Sequence, residues 1–299
     1  MLSHRVGLGR NTYDRDIEGN ADYHSLVQRL SAATMEVDIY DLTFRQFTQK
    51  KFELPFAPAQ QVALGRLQAA AGPDAAQALD APALQALEPA LAQGLHAWWL
   101  PGEGQVMPRE MLQALARHAP GVQWLWGHRA TDVQPGEIRL DDGRTLTCDL
   151  AIDVRGLGAR SAGLNLRGVR GEILWLHAPG LPLQRPLRLL HPRHRVYLVP
   201  RPGGRVVVGA SEIESEDLSA PSLRSVVELL SAAHSVLPEL AEARVEQLES
   251  HLRPARPDNA PFVEHAPGLL RINGLFRHGW LIAPALVDDA LATASLTLT

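Results

Sequence analysis

The stretch RVYLVPRPGGRVVVGASE, residues 195–212, decides the fold of the second half of the chain. Two runs rich in β-branched residues flank Pro-Gly-Gly, a sequence typical of the turn in a β-hairpin. Period-two alternation places Tyr197 on the face opposite to Val196 and Leu198. The hairpin therefore predicts an antiparallel sheet with one apolar face. Tyr197 either hydrogen-bonds a ligand or is a half-buried strand tyrosine, and the second role is the commoner one.

The pattern around this hairpin mixes strands with helices. A small β-meander is predicted after residue 122, ending in the apolar strand LAIDV. Residues 221–236 predict a helix that begins at Ser222 or Pro221 and ends at Pro238, and a final helix is predicted from about Leu281. These elements predict an α/β (α+β) fold with two layers.

The segment 59–98 is dominated by Ala, Leu and Gln, which are strong helix formers. The breaks GPD and AP divide it, so we expect short helices here. Asp80 is placed as the N-cap of one of them, because Pro82 follows in the first turn.

Composition excludes several classes of protein. A length of 299 residues suits two modest domains or one large α/β unit, and a net charge of -4 gives no basic excess for nucleic acid. No stretch approaches the ~20 apolar residues of a membrane helix. Cys148 is the only cysteine, which excludes a disulfide framework and favours a reducing cytoplasm. His191 and His194 lack an obvious third ligand, so no metal site is predicted.

The beginning of the chain differs from the rest in composition. Lys50 and Lys51 are the only lysines, and Tyr13, Tyr23 and Tyr40 are three of the four tyrosines. This difference arises by chance, or because residues 1–55 have another origin, through a misplaced start, a frameshift or a fusion. We favour another origin.

Three further segments place polar chemistry at the ends of strands. In DVRGLGARS (153–161), glycines after a strand allow close approach by a dinucleotide, or form a plain turn. In HLRPARPDNAPF (251–262), Arg253 ends a strand and can clamp a carboxylate, or form a surface salt bridge. GLFRHGWLIAPAL (274–286) combines a glycine loop, a helix N-terminus and Arg277, which favour an anion, or is an ordinary helix start.

Six segments occur in a specific order: LPGEGQ, DVRGLGARS, RGVRGEILWL, RVYLVPRPGGRVVVGASE, HLRPARPDNAPF and GLFRHGWLIAPAL. This order resembles the flavin-dependent D-amino-acid oxidase superfamily, in particular glycine oxidases of the thiamine-biosynthesis type, over roughly residues 76–292. The resemblance implies FAD as the cofactor, bound by a partial nucleotide-binding domain beside an antiparallel-sheet substrate domain. The expected division is an atypical segment 1–55, the remainder of the FAD-binding domain with a helical insertion 56–167, a substrate domain 168–252 and a return to the FAD-binding domain 253–299.

The resemblance also implies residue roles. Arg253 would pair with the substrate carboxylate, Tyr197 would hydrogen-bond the same carboxylate, and Arg277 would be a second arginine at the substrate site. Ala130 would contact the adenine half of FAD, and Gly156 and Gly158 would lie beneath the cofactor. The flavin ring would face the backbone of seven consecutive residues: Leu275, Phe276, Arg277, His278, Gly279, Trp280 and Leu281.

The activity implied by the resemblance is oxidative deamination of glycine or a similar small amine. Hydride passes from the substrate Cα to the flavin without a side-chain base, and the imine hydrolyses to glyoxylate and ammonia or enters thiazole synthesis. Oxygen then reoxidises the flavin and yields hydrogen peroxide. The implied partners are a small amino acid and oxygen, not nucleic acid or a membrane, and a homo-oligomer is left open. Two alternatives are another D-amino-acid or sarcosine oxidase, and an inactive truncated pseudoenzyme.

The sequence departs from the family pattern near its beginning. Members begin with a βαβ unit whose G-x-G-x-x-G turn holds the FAD pyrophosphate at a helix N-terminus. Residues 1–60 contain no such unit, and RVGLGRN (5–11) lacks both the third glycine and a preceding apolar strand. We therefore expect the chain to bind FAD weakly or not at all as it stands.

Overall fold

The structure is a computed structural model that describes residues 36–40, 72, 76–101, 104–119, 121–190 and 195–294. Lys50, Lys51, Tyr13, Tyr23, His191 and His194 lie outside these ranges, as does most of the segment 1–55. The strands are β1 Glu36–Tyr40, β2 Gln77–Leu79, β3 His96–Leu100, β4 Ala130–Gln134, β5 Glu137–Leu140, β6 Thr145–Thr147, β7 Ala151–Asp153, β8 Arg167–His177, β9 Leu187–Leu190, β10 Arg195–Arg201, β11 Arg205–Gly209, β12 Arg244–Ala255, β13 Phe262–Ala266 and β14 Leu269–Asn273. The α-helices are α1 Ala81–Leu87, α2 Pro108–Arg117, α3 Leu223–Val236 and α4 Gly279–Thr293, and 3₁₀ turns span Gly156–Ala162 and Pro238–Glu242.

An eight-stranded sheet forms the largest layer, with the strand order β12-β8-β11-β10-β9-β1-β3-β2. The hairpin predicted over residues 195–212 is confirmed, because β10 and β11 pair antiparallel with Tyr197 opposite Gly209. β1 runs parallel to β9 and antiparallel to β3, so the segment 36–40 belongs to this sheet. The expected mixed fold with an antiparallel sheet is confirmed.

One face of this sheet is apolar and packs against α3. Several residues at this interface are at most 1% exposed, namely Val196 and Leu198 of β10, Val208 of β11 and Val236 of α3. Alternation along each strand sends these side chains to the helix and their neighbours to the other face. The other face is therefore free to carry polar residues.

Two predicted helix starts are confirmed by their capping bonds. The Ser222 hydroxyl accepts a hydrogen bond of 3.2 Å from the backbone N–H of Ser225, and the Asp80 carboxylate accepts one of 2.8 Å from Ala83. The prediction of helices throughout 59–98 is wrong in part, because β2 and β3 are strands. In β2 (QAL), pairing within the large sheet overrides helix propensity, whereas Trp98 and Trp99 of β3 themselves favour a strand.

Two smaller sheets complete the described structure. β4-β5-β6 form a meander, as predicted, but residues 122–129 do not join it. Its predicted last strand, LAIDV, is wrong for this sheet, because β7 pairs parallel with β14, which pairs antiparallel with β13. Leu286 and Ala290 of α4 pack against Leu270 and Ile272 of β14. α4 begins at Gly279, slightly before the predicted start at about Leu281.

The outer side of β7 carries an uncovered apolar surface. β7 is the last strand of its sheet among the described residues, and Ile152 and Val154 are 45% and 63% exposed. Ile152 and Val154 are thus exposed apolar side chains at a strand edge that is open within the described ranges. Elsewhere, Trp124 and Trp126 stack with ring centroids 5.1 Å apart, and Trp126 is 74% exposed.

Replacing Leu198 by Ala should destabilise the protein by about 2–5 kcal/mol, because it removes a fully buried side chain between the sheet and α3. Urea unfolding followed by circular dichroism measures the change in the free energy of unfolding. Leu223→Ala is the matched control, since Leu223 is 79% exposed and its truncation should change little. Equal losses for the two variants would contradict the assigned core.

Candidate substrate and cofactor site

Strand register brings the predicted substrate residues to one face of the large sheet. Tyr197 lies opposite Gly209 on one side and Arg188 on the other. Gly209 pairs with Ile173 of β8. Gly171 and Val169 lie on the same face of β8 as Ile173, because residues two apart in a strand share a face. Val169 in turn lies opposite Arg253 of β12. The face turned away from α3 therefore carries Arg253, Tyr197 and Arg188 across five adjacent strands.

Two glycines provide the space in which these side chains lie. A Cβ atom at Gly171 would overlap the guanidinium group of Arg253. A Cβ atom at Gly209 would lie 2.7 Å from the Tyr197 hydroxyl oxygen. Both side chains thus lie across the sheet at positions where no neighbouring side chain projects.

Arg253 is oriented by backbone carbonyl groups. Its Nη1 donates to the carbonyl oxygens of Arg170 at 3.3 Å and Ser211 at 3.1 Å. Among the described residues it forms no ion pair, so the alternative of a surface salt bridge finds no support there. Burial lowers the pKa of Arg253, and electrostatic interactions with Tyr197 and with the carboxylate of Glu212 oppose this effect. A desolvated guanidinium held by neutral acceptors is suited to bind an anion.

Tyr197 and Arg277 share this environment. Desolvation raises the pKa of the Tyr197 hydroxyl, opposed first by the charge of Arg253 and then by those of Arg277 and Arg201. The hydroxyl therefore stays protonated and can donate a hydrogen bond. The Arg277 side chain is only 9% exposed and forms an ion pair with Glu212, which follows β11. Burial lowers the pKa of Arg277, with the charge of Glu212 as the main opposing influence.

The loop between β14 and α4 contains the residues expected at the flavin ring. Phe276 has a φ of 50°, and its N–H donates to the carbonyl oxygen of Pro254 at 3.0 Å. His278 is 4% exposed, and burial, followed by the charges of Arg277 and Arg188, lowers its pKa to about 3. Its imidazole is thus neutral near pH 7. The N–H groups of His278 and Leu281 donate to the carbonyl oxygens of Leu275 and His278 at 2.9 and 3.0 Å, and α4, which begins at Gly279, directs the positive end of its dipole toward this loop.

The remaining predicted cofactor residues lie beside this loop. Gly156 has a φ of 56°, and its carbonyl oxygen accepts a 3.0 Å hydrogen bond from the Asn273 side chain at the end of β14. Gly158 is exposed in the same 3₁₀ turn. The Ala130 carbonyl oxygen accepts a 3.2 Å hydrogen bond from Arg155. These residues surround the carboxyl ends of the parallel strands β7 and β14, where nucleotides bind in such sheets.

The described residues fit one end of FAD. A neutral imidazole and a helix N-terminus suit the electron-rich edge of the flavin ring. For the pyrophosphate, the sequence contains no G-x-G-x-x-G turn. Within the described ranges no group of three His, Cys, Asp or Glu side chains could hold a metal ion.

Several residues of this site were not predicted from the sequence. Gly171 and Gly209 could have been noticed, because an isolated glycine in a strand often marks a close approach. Arg188 and Glu212 give no comparable signal. Arginine is common along the chain, and acidic residues recur around Glu212.

Comparison with known proteins identifies the family. Residues 17–289 match the family model described as DAO, FAD dependent oxidoreductase. The chain belongs to this family of FAD-dependent oxidoreductases. The matched range extends further toward the beginning of the chain than the six segments do. The separate origin of residues 1–55 and the four-part division of the chain stay predictions.

Individual members of the FAD-dependent oxidoreductase family are similar to this chain. It is 41% identical over 212 residues to the thiamine biosynthesis oxidoreductase ThiO of Rhizobium etli, covering 71% of this chain and 62% of that protein. It is 30% identical over 230 residues to glycine oxidase of Bacillus licheniformis, covering 71% of this chain and 60% of that protein. The chain thus spans less than two thirds of the length of these relatives.

The fold is also that of the family. The crystal structure of glycine oxidase from Geobacillus kaustophilus superposes with a TM-score of 0.68 at 21% identity, covering 96% of this chain and 82% of that one. This similarity establishes the fold of the chain. None of the helices in the described ranges has the length and apolarity to cross a bilayer.

Replacing Gly171 by Ala should displace the Arg253 guanidinium, because the new methyl group would occupy its position. The displaced group is the end of a flexible side chain, so stability should change little while affinity for acetate falls on the order of tenfold. Isothermal titration calorimetry and thermal unfolding measure the two quantities. Gly121→Ala is the control, since nothing lies within 4 Å of its added methyl group. Unchanged acetate binding would show that Arg253 is not the anion site.

Proposed function

We propose that this chain carries out the FAD-dependent oxidative deamination of glycine or a similar small amino acid. The products are an imine, which hydrolyses to glyoxylate and ammonia, and hydrogen peroxide. The observation that carries the proposal is the convergence of Arg253, Tyr197 and Arg277 beside the loop 275–281. The similarity to ThiO and to glycine oxidase supports glycine as the substrate and the thiazole branch of thiamine biosynthesis as the setting.

The substrate carboxylate would be bound by Arg253 and Tyr197. The guanidinium offers parallel N–H donors to the two carboxylate oxygens, and the protonated hydroxyl donates a further hydrogen bond. Backbone carbonyls fix the orientation of Arg253 before the substrate arrives. Because the carboxylate is held at one end, the substrate Cα is restricted to one position relative to the loop 275–281.

The loop would contribute electrostatic stabilisation at the opposite side. FAD, when bound, supplies the hydride acceptor and the reaction with oxygen that yields hydrogen peroxide. The N-terminus of α4 favours negative charge near Gly279, next to the ion pair of Arg277 and Glu212. His278 adds no charge of its own, because its pKa is lowered to about 3. No side chain needs to act as a base.

The direct test of this function supplies the full chain with excess FAD and glycine. We expect bleaching of the flavin absorbance under anaerobic conditions and, in air, one hydrogen peroxide for each glyoxylate. D-alanine and sarcosine, tested in parallel, distinguish the related oxidases. Absence of flavin reduction at saturating FAD and glycine would refute the proposed function.

Replacing Arg253 by Gln should raise the KM for glycine by on the order of a hundredfold, because it removes the charged partner of the carboxylate. Steady-state peroxide release at saturating FAD measures the effect. Arg205→Gln is the matched control. Arg205 lies on the same sheet but pairs at the surface with Glu246 at 2.7 Å, and such pairs contribute little. A KM increase in the control equal to that of Arg253→Gln would contradict the clamp.

The chain as it stands should bind FAD weakly. The G-x-G-x-x-G turn, which would hold the pyrophosphate, is absent from the sequence. Equilibrium dialysis with FAD, followed by absorbance of the retained flavin, measures the dissociation constant. A stoichiometric yellow complex that survives gel filtration would show this prediction to be wrong.

A further inference from the structure

The segment that follows β11 is fastened to the sheet by a series of acidic residues. We call residues 211–219 the acidic strap. Glu214 binds Arg167 through two hydrogen bonds of 2.9 Å, and Glu216 binds Arg160 while also accepting 2.7 Å from the N–H of Gly168. These contacts lie near the beginning of β8 and hold the strap in place over the edge of the site.

Glu212 differs from the other acidic residues of the strap in its surroundings. It forms an ion pair with Arg277, and its side chain is 26% exposed. Its charge also acts on Arg253, where it raises the pKa against the effect of burial. Glu212 is therefore the carboxylate that the strap contributes to the arginine-rich site.

The charge balance of the site has a consequence for which ligands it takes. Arg253, Arg277 and Arg188 all lie near Tyr197 or the adjoining loop, and without a counter-charge they would attract any small carboxylate. Glu212 neutralises the charge of Arg277 through their ion pair. This leaves Arg253 and Tyr197 for the ligand carboxylate and places a negative group beside it.

We propose that Glu212 determines specificity for amino acids over simple carboxylates, by holding Arg277 and accepting a hydrogen bond from the substrate ammonium group. This inference rests on the proposed function, because it takes the same site as the substrate site. An amino acid presents a carboxylate to Arg253 and an ammonium group to Glu212. A simple carboxylate presents only the first and offers no ammonium group to the carboxylate of Glu212.

The test compares the dissociation constants of glycine and acetate for the full chain and for Glu212→Gln, measured by isothermal titration calorimetry. Glutamine keeps the shape and removes the charge. We expect tighter acetate binding and weaker glycine binding, so that the ratio of the two constants shifts on the order of tenfold toward acetate. Glu212→Asp, which keeps the charge, should restore most of the preference for glycine.

Glu214→Gln is the matched control, because Glu214 belongs to the same strap but pairs with Arg167 away from Tyr197. Its ratio of dissociation constants should stay at the value of the unsubstituted chain. The proposal is overturned if Glu212→Gln leaves the ratio unchanged, if Glu214→Gln shifts it equally, or if the unsubstituted chain binds neither ligand. Glycine that binds with the expected ratio but is not oxidised with FAD supports the role of Glu212 and counts only against the proposed function.

Discussion

The accumulation of positive charge around Tyr197 is the constraint on which the site depends. Removing a guanidinium group from water costs several kcal/mol unless polar partners replace the solvent. Two backbone carbonyl groups take the place of water around the Arg253 guanidinium, and the carboxylate of Glu212 does so for Arg277. The pocket is therefore positively charged at Arg253, whereas the carboxylate of Glu212 balances the charge of Arg277. A zwitterionic ligand requires this arrangement.

The rigidity of this pocket comes from the opposite face of the same strands. Val196 and Leu198 are completely buried against the helix α3, and Tyr197 lies between them in the chain. A change in strand register would turn the apolar residues toward the pocket, so the hydrophobic core fixes the direction of the tyrosine. Gly171 and Gly209 then leave the space that the long polar side chains occupy.

The end of β12 connects the substrate residues to the cofactor loops. Arg253 contributes its side chain to the pocket, and the next residue, Pro254, accepts a hydrogen bond from Phe276 and lies against Gly156. The turn after β7 and the loop after β14 are tied to each other by Asn273. Substrate and cofactor positions are thus related through a short, hydrogen-bonded path, which suits a reaction that needs two molecules held at a fixed separation.

The sequence by itself determined the local structure of this protein. Alternation around Tyr197 predicted the hairpin and its two faces, Ser222 and Asp80 marked helix starts, and the order of six segments indicated the family. These features depend on short-range spacing, which is readable without a fold. Short-range spacing failed at β2, where helix-forming residues became a strand because a partner in the large sheet was available, and at β3, whose two tryptophans favour a strand.

Only the tertiary structure decided which side chains meet. Glu212 and Arg277 are far apart in the chain, and Arg253, Gly171 and Tyr197 come from three different strands. Their contacts follow from strand register and from the path of the acidic strap, both of which are set by long-range pairing. Sequence spacing carries no information about such distances. For this reason the grouping of Arg253, Tyr197 and Arg277 at one site was predicted only through family resemblance, whereas the counter-charge of Glu212 emerged from the packed structure alone.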